Sequence, residues 1–424
     1  MNLTSKKIDV YKLIIPLYLL LEARFFYLFS AGKLENFITY KVKVFIAAFA
    51  IFTFLISLTL KRKIKFDKIS IWCIVFLIYV FFEVARNVSS YNLTFYKAFL
   101  ASHGFFLILL FPALTIYSDK EKLYQYIIRI ITIFSIILSI IFILQAVAFN
   151  FKYIKFLEII EYKSWTILDI RKFGIRLTTP GTIIIFSTLI SFGQIVGGNK
   201  DKIHFINLFL GLVYIVFVCQ TRMTTIMIFL AMFLIVFFKM NKNRFKKTKI
   251  CMVLLIGICV LILPYYIDEI FKNEEGGSVV ARVYAVEIYG KSIMKRPVFG
   301  IGLLPDDKSD FTINSIMRGK KGYAHITDVG YIGYVFLFGI GGIVLLVILV
   351  KILYDIIKKC KTKDAAYYSL ISCLLYIILT SATLSIFDTQ RIVFLPFILY
   401  IAYYIQWKNR DMNNERKLIN DKDN

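Results

Sequence analysis

Four arginines stand at the ends of apolar stretches, where a fixed positive charge is costly: Arg176 before Leu177-Thr178-Thr179-Pro180, Arg222 after Cys219-Gln220-Thr221, Arg282 in a long polar segment, and Arg391 after Asp388-Thr389-Gln390. A guanidinium can give a phosphate two parallel N–H bonds and keeps its charge close to lipid. Several of them at one mouth of a membrane bundle therefore suit a pyrophosphate carried on a membrane lipid. In a transfer reaction that group would leave, and fixed cations stabilise its growing negative charge. Each arginine also has a plainer reading, as a snorkelling anchor or a partner of Asp388 or Asp328. Acid and base chemistry has two candidates, His325 and Asp328, in Tyr323-Ala324-His325-Ile326-Thr327-Asp328. An imidazole near neutral pKa could take a proton from an attacking hydroxyl, with Asp328 orienting it or acting as base itself. Against this, both could simply cap the helix that follows. Glu287 is a weaker base candidate.

The elements that must hold these residues are membrane spans. The chain has 424 residues, 59% of them apolar and only 19% charged, with a mean hydropathy of +0.72. Apolar stretches long enough to cross a bilayer recur from end to end, and lipid demands that each be helical. The expectation is an all-α polytopic integral membrane protein forming one domain over 1–424, with about 12 spans: 9–31, 42–60, 69–85, 97–117, 126–149, 181–197, 203–220, 223–239, 250–267, 328–350, 365–385 and 391–406. The first span contains Glu22 and Arg24 and has no cleavage site behind it, so it reads as a retained helix. Basic clusters at 61–65, 239–249 and 351–363 belong on the cytoplasmic side, as does the polar tail 407–424. Both termini are then cytoplasmic.

Two loops fall on the outer side, 150–180 and the much larger 268–327. The larger holds nine Lys or Arg against eight Asp or Glu, so it is nearly neutral. Inside it, Ser278 reads as an N-cap, and Val279, Val283, Val286 and Ile293 follow a helical spacing. An amphipathic helix is expected at about 279–296, lying along the membrane surface, with Arg282, Tyr289 and Arg296 seven apart on one face. Pro297, Gly300 and Gly302 should end it.

Several function classes are disfavoured. A net charge of +25 invites a nucleic-acid reading, but the cations sit in short loops between apolar stretches, where topology explains them. The six cysteines, Cys73, Cys219, Cys251, Cys259, Cys360 and Cys373, have no metal or disulfide spacing and read as small packing residues. There is no HExxH, P-loop or GxGxxG motif and no DxD pair at an outer helix end. His103 and His204 fall in spans or at their ends and read as packing or snorkelling residues. The two halves are unequal, unlike the inverted repeats common in secondary transporters.

The order of motifs resembles one family. Arg176 before a Thr-Pro turn, Thr221-Arg222 at a span's start, Arg282 ahead of Pro297-Val298-Phe299-Gly300-Ile301-Gly302, and His325 ahead of Phe338-Gly339-Ile340-Gly341-Gly342 are similar to the O-antigen polymerase and ligase superfamily, most of all its Wzy-type polysaccharide polymerases. The similarity covers roughly 170–345. It implies the lipid-linked-sugar glycosyltransferase (GT-C-like) fold with a long extracytoplasmic loop, in the bacterial cytoplasmic membrane. It further implies a metal-independent inverting glycosyltransferase without cofactor, acting on undecaprenyl-pyrophosphate-linked repeat units as donor and acceptor, with a chain-length regulator as a further candidate partner. On that resemblance Arg176, Arg222 and Arg282 would hold the donor pyrophosphate, and His325 would help the acceptor hydroxyl attack. Two departures stand out: Val286 replaces the family's tryptophan after the loop arginine, and Ile326 follows His325 where ligases often have Asn. These tilt the reading from an O-antigen or teichuronic-type ligase toward a polymerase of capsule, exopolysaccharide or O-antigen. The alternative of another class is a lipid-linked oligosaccharide flippase or transporter.

Overall fold

The computed structural model describes residues 10–23, 47–56, 58–59, 67–116, 119–157, 169–171, 173–177, 181–239, 278–304, 318–319, 322–323, 329–382, 384, 387 and 391–423. The protein is mostly helical. In chain order the helices are α1 (Val10–Glu22), α2 (Ala47–Ile56), α3 (Lys68–Tyr91), α4 (Phe95–Thr115), α5 (Lys120–Lys152), α6 (Thr182–Val196), α7 (Lys202–Cys219), α8 (Arg222–Lys239), α9 (Ser278–Ile293), α10 (Gly330–Lys358), α11 (Ala365–Thr380) and α12 (Leu395–Asp423). Six of them, α3, α4, α5, α7, α8 and α10, are long and apolar enough to cross a membrane. Two short antiparallel ladders complete the description: β1 (Asp169–Arg171) with β2 (Gly174–Arg176), and β3 (Arg318–Gly319) with β4 (Gly322–Tyr323). The expected span 250–267 lies outside the described residues.

Contacts between helix ends define two faces of the bundle. On one face, Lys239 at the end of α8 bonds the carbonyl of Val196 at the end of α6, and Lys408 of α12 pairs with Asp364 before α11 at 2.7 Å. Lys68, Lys120, Lys200, Lys202 and Lys358 mark helix ends on that same lysine-rich face. At the opposite face the start of α10 meets the end of α11 through Tyr331 N–H and Ser381 O, 2.8 Å apart. Asp and Thr side chains define many starts: Asp67, Asp119, Asp201 and Asp364 each accept a backbone N–H of the following turn. Close packing uses small residues. A Cβ on Gly193 of α6 would lie 2.4 Å from the backbone of Ser369, so α6 and α11 meet nearly backbone to backbone.

The most telling element is a break in α10. Gly339 has φ 59° and ψ −156°, so the helix is interrupted in mid-span. In lipid the freed backbone groups must find partners. The segment 297–302 supplies them: Pro297 O and Val298 O accept from Ile340 and Gly341 N–H, while Ile301 and Gly302 N–H donate to Phe336 O and Leu337 O, all at 2.8–3.0 Å. Tyr79 Oη takes the remaining carbonyl, Phe338 O, at 2.7 Å. The other side of this strap is held by α3. Arg86, paired with the buried Glu83, donates to Phe299 O and Gly300 O; Asn87 donates to Leu303 O and Tyr91 to Ile301 O, both at 2.8 Å. Pro297, Gly300 and Gly302 are therefore more than a helix stop.

The loop helix forms as α9, but three details differ from expectation. It ends at Ile293, and Arg296 lies beyond it, stacked on Tyr91, so Arg282, Tyr289 and Arg296 do not share one helical face. Val283 is exposed, whereas Ala285 and Tyr289 are buried against Val84, Leu93 and Phe336. The docked face is thus set by a small residue that permits close approach and by the ring of Tyr289 on Phe336 of α10, with Val286 and Ile293 of the expected stripe packed against the same cluster. The helix packs against the bundle through this face. Finally, α12 continues as helix through the polar tail to Asp423, steadied near its midpoint by Lys361 N–H on Asn409 and Lys408 on Asp364.

Candidate functional site

Three of the four arginines lie at the face opposite the lysines. Arg176 closes the β1–β2 hairpin, and its place is built from α5 outward. Asn150, in the last turn of α5, grips the hairpin by accepting from Ile175 N–H at 2.9 Å and donating to Phe173 O at 3.0 Å. Gly174 has φ 94°, and a Cβ there would overlap the Asn150 amide at 2.1 Å, so only glycine lets the strand lie this close. Leu177 N–H then donates to Val218 O at 3.0 Å, which ties the strand to α7.

The last turn of α7, Tyr214–Cys219, is widened to a π-helix and closes on Gln220 in the left-handed region. Such turns recur at functional sites. Here the turn offers three attachments to the hairpin strand: Tyr214 Oη donates to Leu177 O, Gln220 Nε2 to Gly174 O, and Cys219 O accepts from Arg176 Nε at 3.1 Å. Arg176 Nη2 also donates to Thr221 Oγ1 at 3.0 Å. These two acceptors orient the guanidinium at the junction of β2 and α7. Arg222 follows at once as the first residue of α8 and is half-buried.

Arg391 approaches from the other side. It stands in the turn before α12, is 6% exposed, and donates to Leu384 O at 3.2 Å and Ser381 Oγ at 3.4 Å. The link between the two arginine positions is Tyr376 of α11, which lies beside Thr224 in the first turn of α8 and in electrostatic range of both Arg391 and Cys219. Arg176, Arg222 and Arg391 thus stand around the ends of α7, α8 and α11 opposite the lysine-rich face. Arg282 is on α9, whose Ala285 and Tyr289 dock beside α10; its side chain is outside the described residues, as are all of His325 and Asp328. The N-cap position of α10 falls on Val329, one residue past Asp328. Glu287 forms an exposed pair with Lys291 at 2.9 Å on α9.

The remaining titratable candidates are built into packing. His103 bonds the carbonyl of Leu100 within α4, and His204 sits buried beside Ser191 at 3.2 Å. Cys73, Cys219 and Cys373 are buried free thiols, and Cys360 is half-buried. Residues that the sequence reading passed over include Glu83, Arg86 and Asn87 on the last turns of α3, and Asn150 on α5. Their common signal is polarity at i, i+3 or i+4 within an otherwise apolar helix, where a polar group needs an assigned partner.

No protein-family model and no curated protein matches the chain.

Proposed function

We propose that the chain polymerises undecaprenyl-pyrophosphate-linked repeat units into a surface polysaccharide, by metal-independent inverting glycosyl transfer on the outer face of the bacterial cytoplasmic membrane. The observation that carries this reading is the placement of Arg176, Arg222 and Arg391 at the face of the bundle opposite its lysines, with Arg176 oriented by Cys219 O and Thr221 Oγ1 and Arg391 nearly enclosed. Cations placed where lipid and protein surround them favour an anion that itself belongs to the membrane surface. On this reading the leaving pyrophosphate lies among the three arginines, with Arg282 of the loop helix as the fourth. His325 or Asp328 takes the proton of the attacking hydroxyl. The GT-C-like fold, 12 spans and cytoplasmic termini belong to the same proposal. A transporter would instead put its charged groups near the mid-plane; the buried pair Glu83 with Arg86, on the last turns of α3, is engaged with the strap.

The test supplies the purified protein with a lipid-pyrophosphate-linked repeat unit and resolves the products by size. A ladder is expected from the wild type, and none from Arg222→Ala or Arg282→Ala. A single transfer to a lipid A or wall acceptor would identify a ligase. In cells the same variants should leave repeat units accumulating on the outer face, and accumulation inside would mean a flippase.

A further inference from the structure

A second recess lies on the lysine-rich face, remote from the arginines. It is a groove of about 660 Å³ between α3, α10 and α12. Its rim carries Lys68, Lys351, Lys359 and Arg410 against the carboxylate of Asp355. Asp67, which caps α3, lies in electrostatic range of Arg410 and engages one of the four cations. Lys351, Asp355 and Lys359 are four apart on α10 and so form one stripe along the groove.

The deeper wall changes character. Trp72 and Leu345 close it, joined by a bond from the indole N–H to Leu345 O at 2.8 Å. Val75 and Ile348 line it and are 45% and 43% exposed, on the side where apolar groups meet lipid chains. From Lys68 to Val75 is about 10 Å of helix rise. A headgroup-sized cationic rim above an apolar channel of that depth has the profile of a bilayer lipid seen from the side.

We propose that this groove is a binding site for an anionic phospholipid, with its phosphodiester among Lys351, Lys359 and Arg410 and its acyl chains along Val75 and Ile348. Basic pockets between spans on the positively charged side of membrane proteins take such headgroups. A soluble phosphate would leave the apolar wall unused, and a zwitterionic lipid would bring a second cation to a rim already rich in them. The inference is independent of the reaction proposed above, since no arginine of that site takes part.

Native mass spectrometry of the purified protein, given equal phosphatidylglycerol and phosphatidylcholine, tests it. Phosphatidylglycerol should be retained preferentially, and glycerol 3-phosphate should not compete for it. The triple variant Lys351→Gln, Lys359→Gln, Arg410→Gln removes exposed charges and should weaken phosphatidylglycerol binding about a hundredfold. A matched triple on the same face, Lys122→Gln, Lys200→Gln, Lys202→Gln, should change it less than about threefold. Val75→Trp fills the apolar wall without touching charge and should also weaken binding. Equal retention of both lipids by the wild type, or equal losses in the two triple variants, would overturn the proposal, as would effective competition by glycerol 3-phosphate.

Discussion

Replacing Gly339 by alanine is the sharpest perturbation of this architecture. At φ 59° and ψ −156° the residue occupies a region that side chains avoid, which costs about 1 to 3 kcal/mol. The added Cβ would also lie 2.5 Å from Gly300 N, 2.6 Å from Pro297 O and 2.6 Å from Val298 O. All three are backbone atoms, so no rotamer change relieves the clash. The strap must move away from α10, and the two bonds nearest the clash, Ile340 N–H to Pro297 O and Gly341 N–H to Val298 O, open first. A buried N–H left without a partner costs roughly 1 to 3 kcal/mol, more when no water reaches it. Together, with both N–H groups counted, these give a loss of about 3 to 9 kcal/mol.

The assay is denaturant unfolding of the purified protein in bicelles, followed by circular dichroism. Gly290→Ala is the control, because nothing lies within 4 Å of a Cβ at that helical position; it should stabilise by about 0.5 to 1 kcal/mol. Arg86→Gln should reproduce part of the Gly339→Ala defect, since Arg86 holds the same strap from the opposite side. If Gly339→Ala unfolds within about 1 kcal/mol of the wild type, the strap does not satisfy the break and the account of α10 is wrong.

Two further predictions concern the hairpin and the membrane orientation. Asn150→Ala removes both bonds that grip β2 and should destabilise the protein by about 1 to 3 kcal/mol, whereas Asn150→Asp keeps the bond from Ile175 N–H and should lose roughly half as much; thermal unfolding ranks the two. Burial pushes the Cys360 thiol above its ordinary range, so its thiolate appears only at pH above that of a free cysteine. In a background with Cys251 and Cys259 replaced by serine, an impermeant maleimide should therefore label Cys360 slowly at neutral pH and faster as pH rises, and only from the lysine-rich side; labelling in intact cells would reverse the assigned orientation.

Much of the bundle was legible because charge and hydropathy speak directly to lipid. The start of α3 at Lys68 and the end of α8 at Lys239 follow from lysines at the boundaries of apolar runs, whereas α5 starts at Lys120 rather than 126 and α10 continues to Lys358 rather than 350. What could not be read is pairing across long separations. Gly300 and Gly339 each look like local punctuation, yet their backbones touch and one requires the other. Likewise Ala285 is the better helix former and Val283 the more apolar residue, yet which of them is buried depends on the shape of α10 and α3, not on α9 itself. At the candidate site, the arginines stood out as isolated cations, whereas Asn150, Thr221 and Tyr376, which position them, look like ordinary polar residues until the π-turn of α7 brings them together.

Arg391 separates a structural from a functional role for the cluster. A guanidinium only 6% exposed is costly to desolvate, so its burial needs a reason. If Arg391 is only an anchor for the turn before α12, its bonds to Leu384 O and Ser381 Oγ are its purpose, and Arg391→Gln should cost a few kcal/mol in the apo state. If it waits for a pyrophosphate, glutamine keeps a donor for Leu384 O while removing the buried charge, and apo stability should stay within about 1 kcal/mol or rise. Added farnesyl pyrophosphate at about a hundred times its dissociation constant should then stabilise the wild type by about 2.7 kcal/mol. The variant should gain far less. Equal gains in both proteins would remove Arg391 from the site, while leaving Arg176 and Arg222 to be judged by their own variants.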